Sequence, residues 1–324
     1  AAARMAVGVG EAGGVPPSYA IISDYFPSGT RGTALGLFNF GPPIGQALGV
    51  AFGASIAASY SWRSAFVTIG IIGIFAALVV WLFVKEPKRG GLDAPLAEAG
   101  EAKPKSAGFW PAVRNFFSNP VLLRISLACA ATQFVTYGIL NFTTLFLMRE
   151  KGMTLEQVAI YYALVVGLGT VAGMYASGRL IDKFSRRSKL AFAWIPAIGL
   201  IFAAPLFVGF VWAPSWEMAL LFLILPTGLN YFYLSPAVTL VQEEVRPDQR
   251  VLSGALLLLV MNLVGLGFGP TFVGAMSDYF RPTNPDNSLQ LAFYSLVPFY
   301  AVAVLLFIWL ARAIKREAQR GGPA

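Results

Sequence analysis

The chain has 324 residues, of which 56% are hydrophobic and 12% are charged, and its formal net charge is +8. Soluble proteins carry about 25% charged residues, so this composition predicts an integral membrane protein. The sequence has no histidine and one cysteine, which excludes histidine bases, most zinc or copper sites and a disulfide framework. We expect no metal, no cofactor and no catalytic residue. Because the basic residues stand between apolar runs, we expect contact with a lipid bilayer and none with nucleic acid.

Apolar runs long enough to cross a membrane as helices recur along the whole chain. Continuous runs without alternation indicate helices rather than a β-barrel, so the predicted fold is an all-α polytopic membrane protein with nine transmembrane helices. The nine predicted segments are residues 1–22, 33–58, 65–84, 121–148, 158–181, 190–212, 216–241, 252–275 and 289–313.

The first segment carries two ionisable residues, Arg4 and Glu11. Seven residues apart, they project from one helix face about 10 Å from each other, and Glu11, 13 residues before Asp24, lies about 20 Å from the cytoplasmic end of the helix. Ionisable groups inside a membrane are functional by default, so we expect Glu11 to carry protons and Arg4 to tune its proton affinity. The alternative is a structural Arg4–Glu11 pair that never moves.

Two family patterns fall on the same segment. Arg4, Gly8 and Gly10 resemble the fourth-helix pattern of the major facilitator superfamily, with Val7 in place of the usual glutamine. The run from Gly8 to Ala12, followed by Pro16 and 23–26, is similar to the spinster branch of that superfamily. The resemblance implies proton-coupled export of a lipid-like or amphiphilic substrate, with Glu11 as the coupling residue. A partial antiporter signature at 41–45, which lacks its last glycine, favours export weakly.

Polar side chains on later segments are candidates for lining a substrate cavity. One face of the fourth segment offers Gln133, Tyr137, Asn141 and Thr144 at spacings of four, four and three residues. The seventh segment adds Asn230 and Tyr233, and the eighth adds Asn262. These groups can bind a lipid headgroup or a small organic molecule, although hydrogen bonding between helices explains any single one of them.

The loop between the fifth and sixth segments holds the strongest local motif. It resembles the major facilitator loop signature, Gly-x3-Asp-Arg/Lys-x-Gly-Arg/Lys-Arg/Lys, with Ser185 where the family has glycine. The defined positions are occupied by Gly178, Asp182, Lys183, Arg186 and Arg187.

The charges of this loop suggest a gate. Asp182 suits the positive N-terminus of the second segment, where we expect it to pair with Arg31, and we expect Arg186 to reach Asp24. Such contacts exist only while the cytoplasmic sides of two halves are together, so they would close the outward-facing state. The alternative is a charged loop that only sets topology.

An internal repeat extends the interpretation to the whole chain. An offset of 220 residues matches Gly8 to Gly228, Pro16 to Pro236 and Asp24 to Glu244, and an offset of 227 relates the third segment to the ninth. The fourth to sixth segments have no partner, so three helices are expected before residue 1. This plan resembles a major facilitator fold lacking its first three helices.

The repeat and the composition together divide the chain. Residues 1–85 are predicted to be an incomplete N-terminal half and 119–324 a six-helix C-terminal half. Between them, 86–118 has the composition of a cytoplasmic linker, ending in an amphipathic interfacial helix. The apolar side chains of that helix are Phe109, Trp110, Val113, Phe116 and Phe117.

Alternating helices would place 19 basic residues on one side of the membrane and four on the other. The positive-inside rule assigns the first side, with the C-terminus, to the cytoplasm, and we expect the plasma (inner) membrane of a bacterium. The predicted function is secondary active transport by proton-coupled alternating access. Alternatives are an uptake or efflux carrier for sugars, organic acids or drugs, a passive channel, and a membrane enzyme.

Overall fold

The structure, a computed structural model, describes residues 13–45, 61–87, 92 and 108–320, and the regular elements in these ranges are helical. In chain order the helices are α1 (Val15–Tyr25), α2 (Arg31–Phe38), α3 (Trp62–Phe83), α4 (Phe109–Ser118), α5 (Pro120–Arg149), α6 (Ala163–Ser185), α7 (Ala191–Trp212), α8 (Trp216–Leu229), α9 (Leu234–Glu244), α10 (Arg250–Met261), α11 (Gly269–Phe280), α12 (Ser288–Tyr294) and α13 (Val297–Arg320).

Short irregular helical segments connect several of these helices. A turn at Leu155–Gln157 and a π-helix at Val158–Tyr162 precede α6, and a 3₁₀ turn at Pro247–Gln249 precedes α10. A second π-helix, Asn262–Phe268, joins α10 to α11. The sequence pattern predicted uninterrupted helices here, and the π-helices are the main local difference.

Within the described ranges, seven helical stretches are long and apolar enough to cross a membrane. They correspond to the third to ninth predicted segments, so the all-helical membrane fold is confirmed for them. Most of the first two segments lies in 1–12 and 46–60, outside the described residues. The count of nine helices and the expectation of three preceding ones stay predictions.

Helices α5 to α13 form one packed unit, here called the C-terminal bundle. Its long central helix α5 begins at Pro120, where the Asn119 side chain accepts hydrogen bonds from the next backbone N–H groups and caps the helix. Along α5, Phe146 lies 5.1 Å from Phe293 and 5.3 Å from Phe210, measured between ring centroids. Aromatic packing of this kind fixes α5 against α7 and α12.

Helices α1 and α2, here called the N-terminal helix pair, pack on one end of the bundle. α1 contacts α10, and α2 contacts α6 and α9. We call this the basic end; it is where α1, α6 and α9 finish and α2, α5 and α10 begin. The predicted amphipathic helix is present as α4, which packs on α5 and α10, with Phe116 buried and Trp110 exposed. Its location at a membrane interface stays a prediction.

Candidate functional site

Asp182, near the end of α6, caps the N-terminus of α2. One carboxylate oxygen accepts a hydrogen bond from the Gly32 backbone N–H at 2.8 Å and the other from that of Thr33 at 2.7 Å. The Thr33 hydroxyl also donates to Asp182. The first N–H groups of a helix have no partner within it and carry partial positive charge. The predicted position of Asp182 is therefore confirmed, and its bonds join α6 to the N-terminal helix pair.

Glycine allows this contact because α2 and α6 meet backbone to backbone. A Cβ atom added to Gly178 would lie 2.6 Å from the Gly32 carbonyl oxygen and 3.0 Å from the Thr33 Cα. Real side chains do not approach so closely, so Gly178 is required by packing. Ser185, the departure from the family pattern, ends α6 in ordinary helical geometry, and no described non-glycine residue has a positive φ.

Asp24 and Arg250 form a buried ion pair between α1 and α10. Arg250 Nη1 lies 2.5 Å from Asp24 Oδ1, and their side chains are only 2% and 6% exposed. This corrects the expected contact of Arg186 with Asp24. The end of α1 packs on α10, so the first residue of α10 reaches Asp24, whereas Arg186 Nη2 donates to the Gly29 carbonyl at 2.9 Å.

The two buried arginines of this end are held in the same way. Arg31 Nε donates to the Ser23 carbonyl at 2.9 Å, and Arg250 Nε donates to the Gln242 carbonyl at 3.0 Å, eight residues back along the chain in both cases. Each arginine thus binds the carbonyl end of the preceding helix, where cations are favoured. The two sites are related by an offset of 219 residues, one fewer than the offset found in the sequence.

Arg31 was expected to pair with Asp182, but the structure directs its Nε to backbone carbonyls instead. Its Nε also donates to the Phe26 carbonyl at 2.9 Å, and its charge acts on Glu243 at the end of α9. Glu243 in turn accepts a hydrogen bond from the Ser28 hydroxyl at 2.8 Å. Lys183 and Arg187 are exposed at the same end.

Glu243 and Ser28 are candidate gate residues that the sequence reasoning missed. The repeat did relate the Asp24–Arg31 loop to the loop that ends at Arg250, but it suggested Glu244 as the partner of Arg250, whereas in the structure Arg250 pairs with Asp24. Nearby, Lys189 pairs with Glu244 at 2.9 Å. Burial alone lowers the pKa of Lys189, but the hydrogen bond and the charge of Glu244 raise it overall.

Charged residues at the opposite end, where α5 and α7 finish and α12 begins, join helices of the bundle. Glu150 accepts hydrogen bonds from the backbone N–H groups of Leu289 and Gln290 at 2.7 and 2.9 Å. Lys151 donates to the carbonyls of Val211 and Ala213. Burial raises the pKa of Glu150, although both backbone hydrogen bonds oppose the shift, and burial lowers the pKa of Lys151.

Three of the predicted cavity residues meet at the π-helix. Gln133 Nε2 donates to Asn262 Oδ1 at 2.8 Å, and the Tyr233 hydroxyl donates to Gln133 Oε1 over a long 3.4 Å. A Cβ atom on Gly265 would lie 2.5 Å from the Gln133 side chain, so glycine lets the π-helix approach α5. π-helical turns are frequent at functional sites.

The other predicted cavity residues are placed separately. Tyr137 and Thr144 are half-buried on α5, and Asn141 is exposed, with its amide donating to the Tyr137 carbonyl. Asn230 lines a cavity of about 30 Å³ between helices of the bundle. Glu11 and Arg4 lie outside the described residues.

Comparison with known proteins gives a family match over residues 1–250 and two relatives that match nearly the whole chain. The sequence pattern of the Major Facilitator Superfamily matches residues 1–250. An "MFS-type efflux pump" of Mycolicibacterium smegmatis is 29% identical over 97% of this chain and 71% of the relative. "Protein spinster homolog 3" of Danio rerio is 26% identical over 98% of this chain and 67% of the relative.

A solved structure is also similar. It is the crystal structure of a bacterial homolog to the human lysosomal transporter Spinster, in an inward-facing and unoccupied conformation. It superposes with a TM-score of 0.69 at 28% identity, over 96% of this chain and 77% of that chain.

Proposed function

The chain belongs to the major facilitator superfamily and to its spinster-like branch, and on this premise we propose that it is a secondary active transporter that exports a small amphiphilic or lipid-like molecule by proton-coupled alternating access. The name of one relative, an efflux pump, supports export, and the amphiphilic or lipid-like substrate is inferred from the resemblance to the spinster branch. Residues 1–85, as an incomplete N-terminal half, and residues 119–324, as the C-terminal half, would move against each other and are linked by 86–118.

The observation that carries the proposal is the buried Asp24–Arg250 pair between the N-terminal helix pair and the C-terminal bundle. A buried ion pair is weak evidence for stability but strongly penalises loss of one partner, which suits a contact that must form in one state and be replaced by water in another. Together with the Asp182 cap, it would form the cytoplasmic gate of the outward-facing state.

The orientation and the transport pathway complete the proposal. The excess of basic residues on one side supports a cytoplasmic basic end and C-terminus. Glu11 would carry the proton, with Arg4 tuning it. Gln133, Tyr233 and Asn262, joined by hydrogen bonds, would bind the polar part of the substrate from the C-terminal half, with Tyr137, Asn141, Thr144 and Asn230 as further candidates.

The gate can be tested with a cysteine reporter. Ser235 is 1% exposed, and its hydroxyl donates to the Gly32 carbonyl at 2.6 Å, so Ser235→Cys reacts with a maleimide only when the basic end opens. The native Cys129 is fully buried and gives little background.

In this reporter background, Asp182→Asn should speed labelling because it removes the negative charge from the α2 N-terminus. Asp248→Asn is the matched control, since Asp248 pairs at 3.3 Å with Arg246, only two residues away. Equal labelling of the two variants would leave the loop with a topological role only.

Proton coupling is tested in proteoliposomes that carry a pH gradient. Addition of a lysophospholipid should drive proton movement in the unmodified protein, and Glu11→Gln should abolish it while leaving reporter labelling unchanged. Transport with unaltered pH dependence in Glu11→Gln would remove the coupling claim but not the gate.

A further inference from the structure

A groove of about 600 Å³ lies between α2 and the last turns of α6 at the basic end. One wall, from α6, carries Arg179, Lys183 and Arg186. The other, from the N-terminal helix pair, carries Phe26 and Leu37, which are 44% and 49% exposed. The groove therefore joins a cationic wall to an apolar one.

Among the residues that the structure describes, no anion neutralises the cationic wall. Arg179, Lys183 and Arg186 follow one another at spacings of four and three residues, so they share a helix face, where like charges repel. Asp182 is the one acid in the lining, and both its oxygens are already bonded to α2. In the described part of the chain, neither Arg179 nor Lys183 has an ion-pair partner.

The position of the groove relative to the membrane identifies the ligand chemistry. Arg179 and Lys183 lie in the last two turns of the membrane-crossing stretch Val158–Ser185 and Arg186 lies just past it, so we expect the three side chains to reach the depth of the lipid headgroups. Arginine and lysine at such a depth bind phosphate groups of anionic lipids. The exposed side chains of Phe26 and Leu37 offer apolar surface for the acyl region, which a free phosphate ion would not need.

From this arrangement we infer that the groove binds an anionic phospholipid, with the headgroup phosphate on Arg179, Lys183 and Arg186 and the acyl region on Phe26 and Leu37. The phosphate would touch the C-terminal bundle and the acyl region the N-terminal helix pair. A bound lipid would therefore bridge the two sides of the proposed gate and favour the closed basic end. This second effect rests on the proposed function, whereas binding itself does not.

Binding is measured by thermal-shift titration of the purified protein with dihexanoyl-phosphatidylglycerol, dihexanoyl-phosphatidylcholine and inorganic phosphate. The groove variant is Arg179→Gln with Lys183→Gln. The control, Arg312→Gln with Lys315→Gln, removes the same charge from exposed positions on α13 at the same end. We expect phosphatidylglycerol to bind more tightly than the other two ligands, and the groove variant to bind it on the order of 30-fold more weakly than the control.

Equal affinity of the groove variant and the control would overturn the site. Equal affinity for phosphatidylcholine would overturn recognition of negative charge, and equal affinity for inorganic phosphate would overturn the lipid in favour of a free anion. Because both substitutions are on exposed side chains, we expect the groove variant to fold. Lys183→Gln alone is a milder variant, for which we expect an intermediate loss of affinity for phosphatidylglycerol.

The link to the gate is measured separately, as labelling of Ser235→Cys in nanodiscs with and without phosphatidylglycerol. We expect the lipid to slow labelling in the control and not in the groove variant. Tight lipid binding without an effect on labelling would overturn the bridge alone. If the unmodified protein binds phosphatidylglycerol but does not transport lysophospholipid, the result would instead count against the proposed function.

Discussion

At the basic end an ion pair and a helix cap join the N-terminal helix pair to the C-terminal bundle, whereas at the opposite end the polar contacts described join helices of the bundle to one another. Asp24 pairs with Arg250 across the boundary, and Asp182 caps α2 across it. Glu150 also caps a helix through two backbone N–H groups, but both sides of that contact move together.

The same chemistry thus has different consequences at the two ends. At each end a carboxylate accepts hydrogen bonds from backbone N–H groups at a helix N-terminus. Only a contact that crosses the boundary, however, biases an equilibrium between conformations. We expect substitutions at the basic end to change which state is populated. Substitutions at the opposite end should change how stable the protein is in every state.

The largest effect is expected for Arg250→Met, which keeps the bulk of the side chain but removes the cation that pairs with buried Asp24 across the boundary. Removal of one partner from a buried ion pair costs about 3–5 kcal/mol, and opening the basic end to water relieves that cost. Labelling of Ser235→Cys should therefore become much faster. Adding Asp24→Asn should restore part of the slow labelling, because the buried carboxylate charge that lost its Arg250 partner is then gone.

Arg246→Met is the control for this variant. Arg246 lies in the same connection, with its side chain 46% exposed, and it pairs at 3.3 Å with Asp248. An exposed pair of this kind contributes at most about 1 kcal/mol. If Arg246→Met opened the reporter as much as Arg250→Met, loss of charge rather than loss of the boundary contact would be the cause.

A smaller effect, on stability alone, is expected for Glu150→Gln. The amide has one acceptor oxygen for two N–H groups of α12, and an unsatisfied N–H costs about 1–2 kcal/mol. Because the substitution also removes the partly buried charge of Glu150, the melting temperature should fall only modestly, while reporter labelling stays unchanged. Glu156→Gln, at an exposed position after the same helix, is the control. Faster labelling in Glu150→Gln would contradict the difference between the two ends.

The pH dependence of the protein's stability tests the prediction for Glu150 in a second way. Burial raises its pKa above the ordinary value of 4.5, so the folded protein binds this proton more tightly than the unfolded chain. Stability should rise as the pH falls through the raised folded pKa and level off below 4.5. Glu150→Gln should lack this component of the pH profile, and Glu156→Gln should keep it.

Much of this arrangement could be predicted from the sequence because the physical constraints are local. Apolar runs must be helical in a bilayer, which fixed seven of the segments. Asp182 was predicted at the α2 N-terminus because unpaired N–H groups attract an anion. Gly178 was predicted from the family pattern, and its reason is the close approach of two backbones.

The partners of the arginines could not be predicted in the same way. Arg186 and Arg250 are both long cations within reach of the α1 end, and only the packing of α1 on α10 decides that Asp24 meets Arg250. The π-helix Asn262–Phe268 likewise depends on Gly265 meeting Gln133, a contact between segments about 130 residues apart. Periodicity within one segment contains no information about such contacts.

The smallest effect is expected for Lys189→Gln, which separates position from connection. Lys189 and Glu244 lie at the basic end, but both belong to the C-terminal bundle, so their 2.9 Å contact does not cross the boundary. The lysine side chain is 59% exposed, and water and salt screen such pairs to below about 1 kcal/mol. Stability should change slightly, the change should shrink at high salt, and labelling of Ser235→Cys should stay slow. Fast labelling in Lys189→Gln would mean that any charged residue at the basic end controls the gate. The contact of Arg250 across the boundary would then not explain the effect of Arg250→Met.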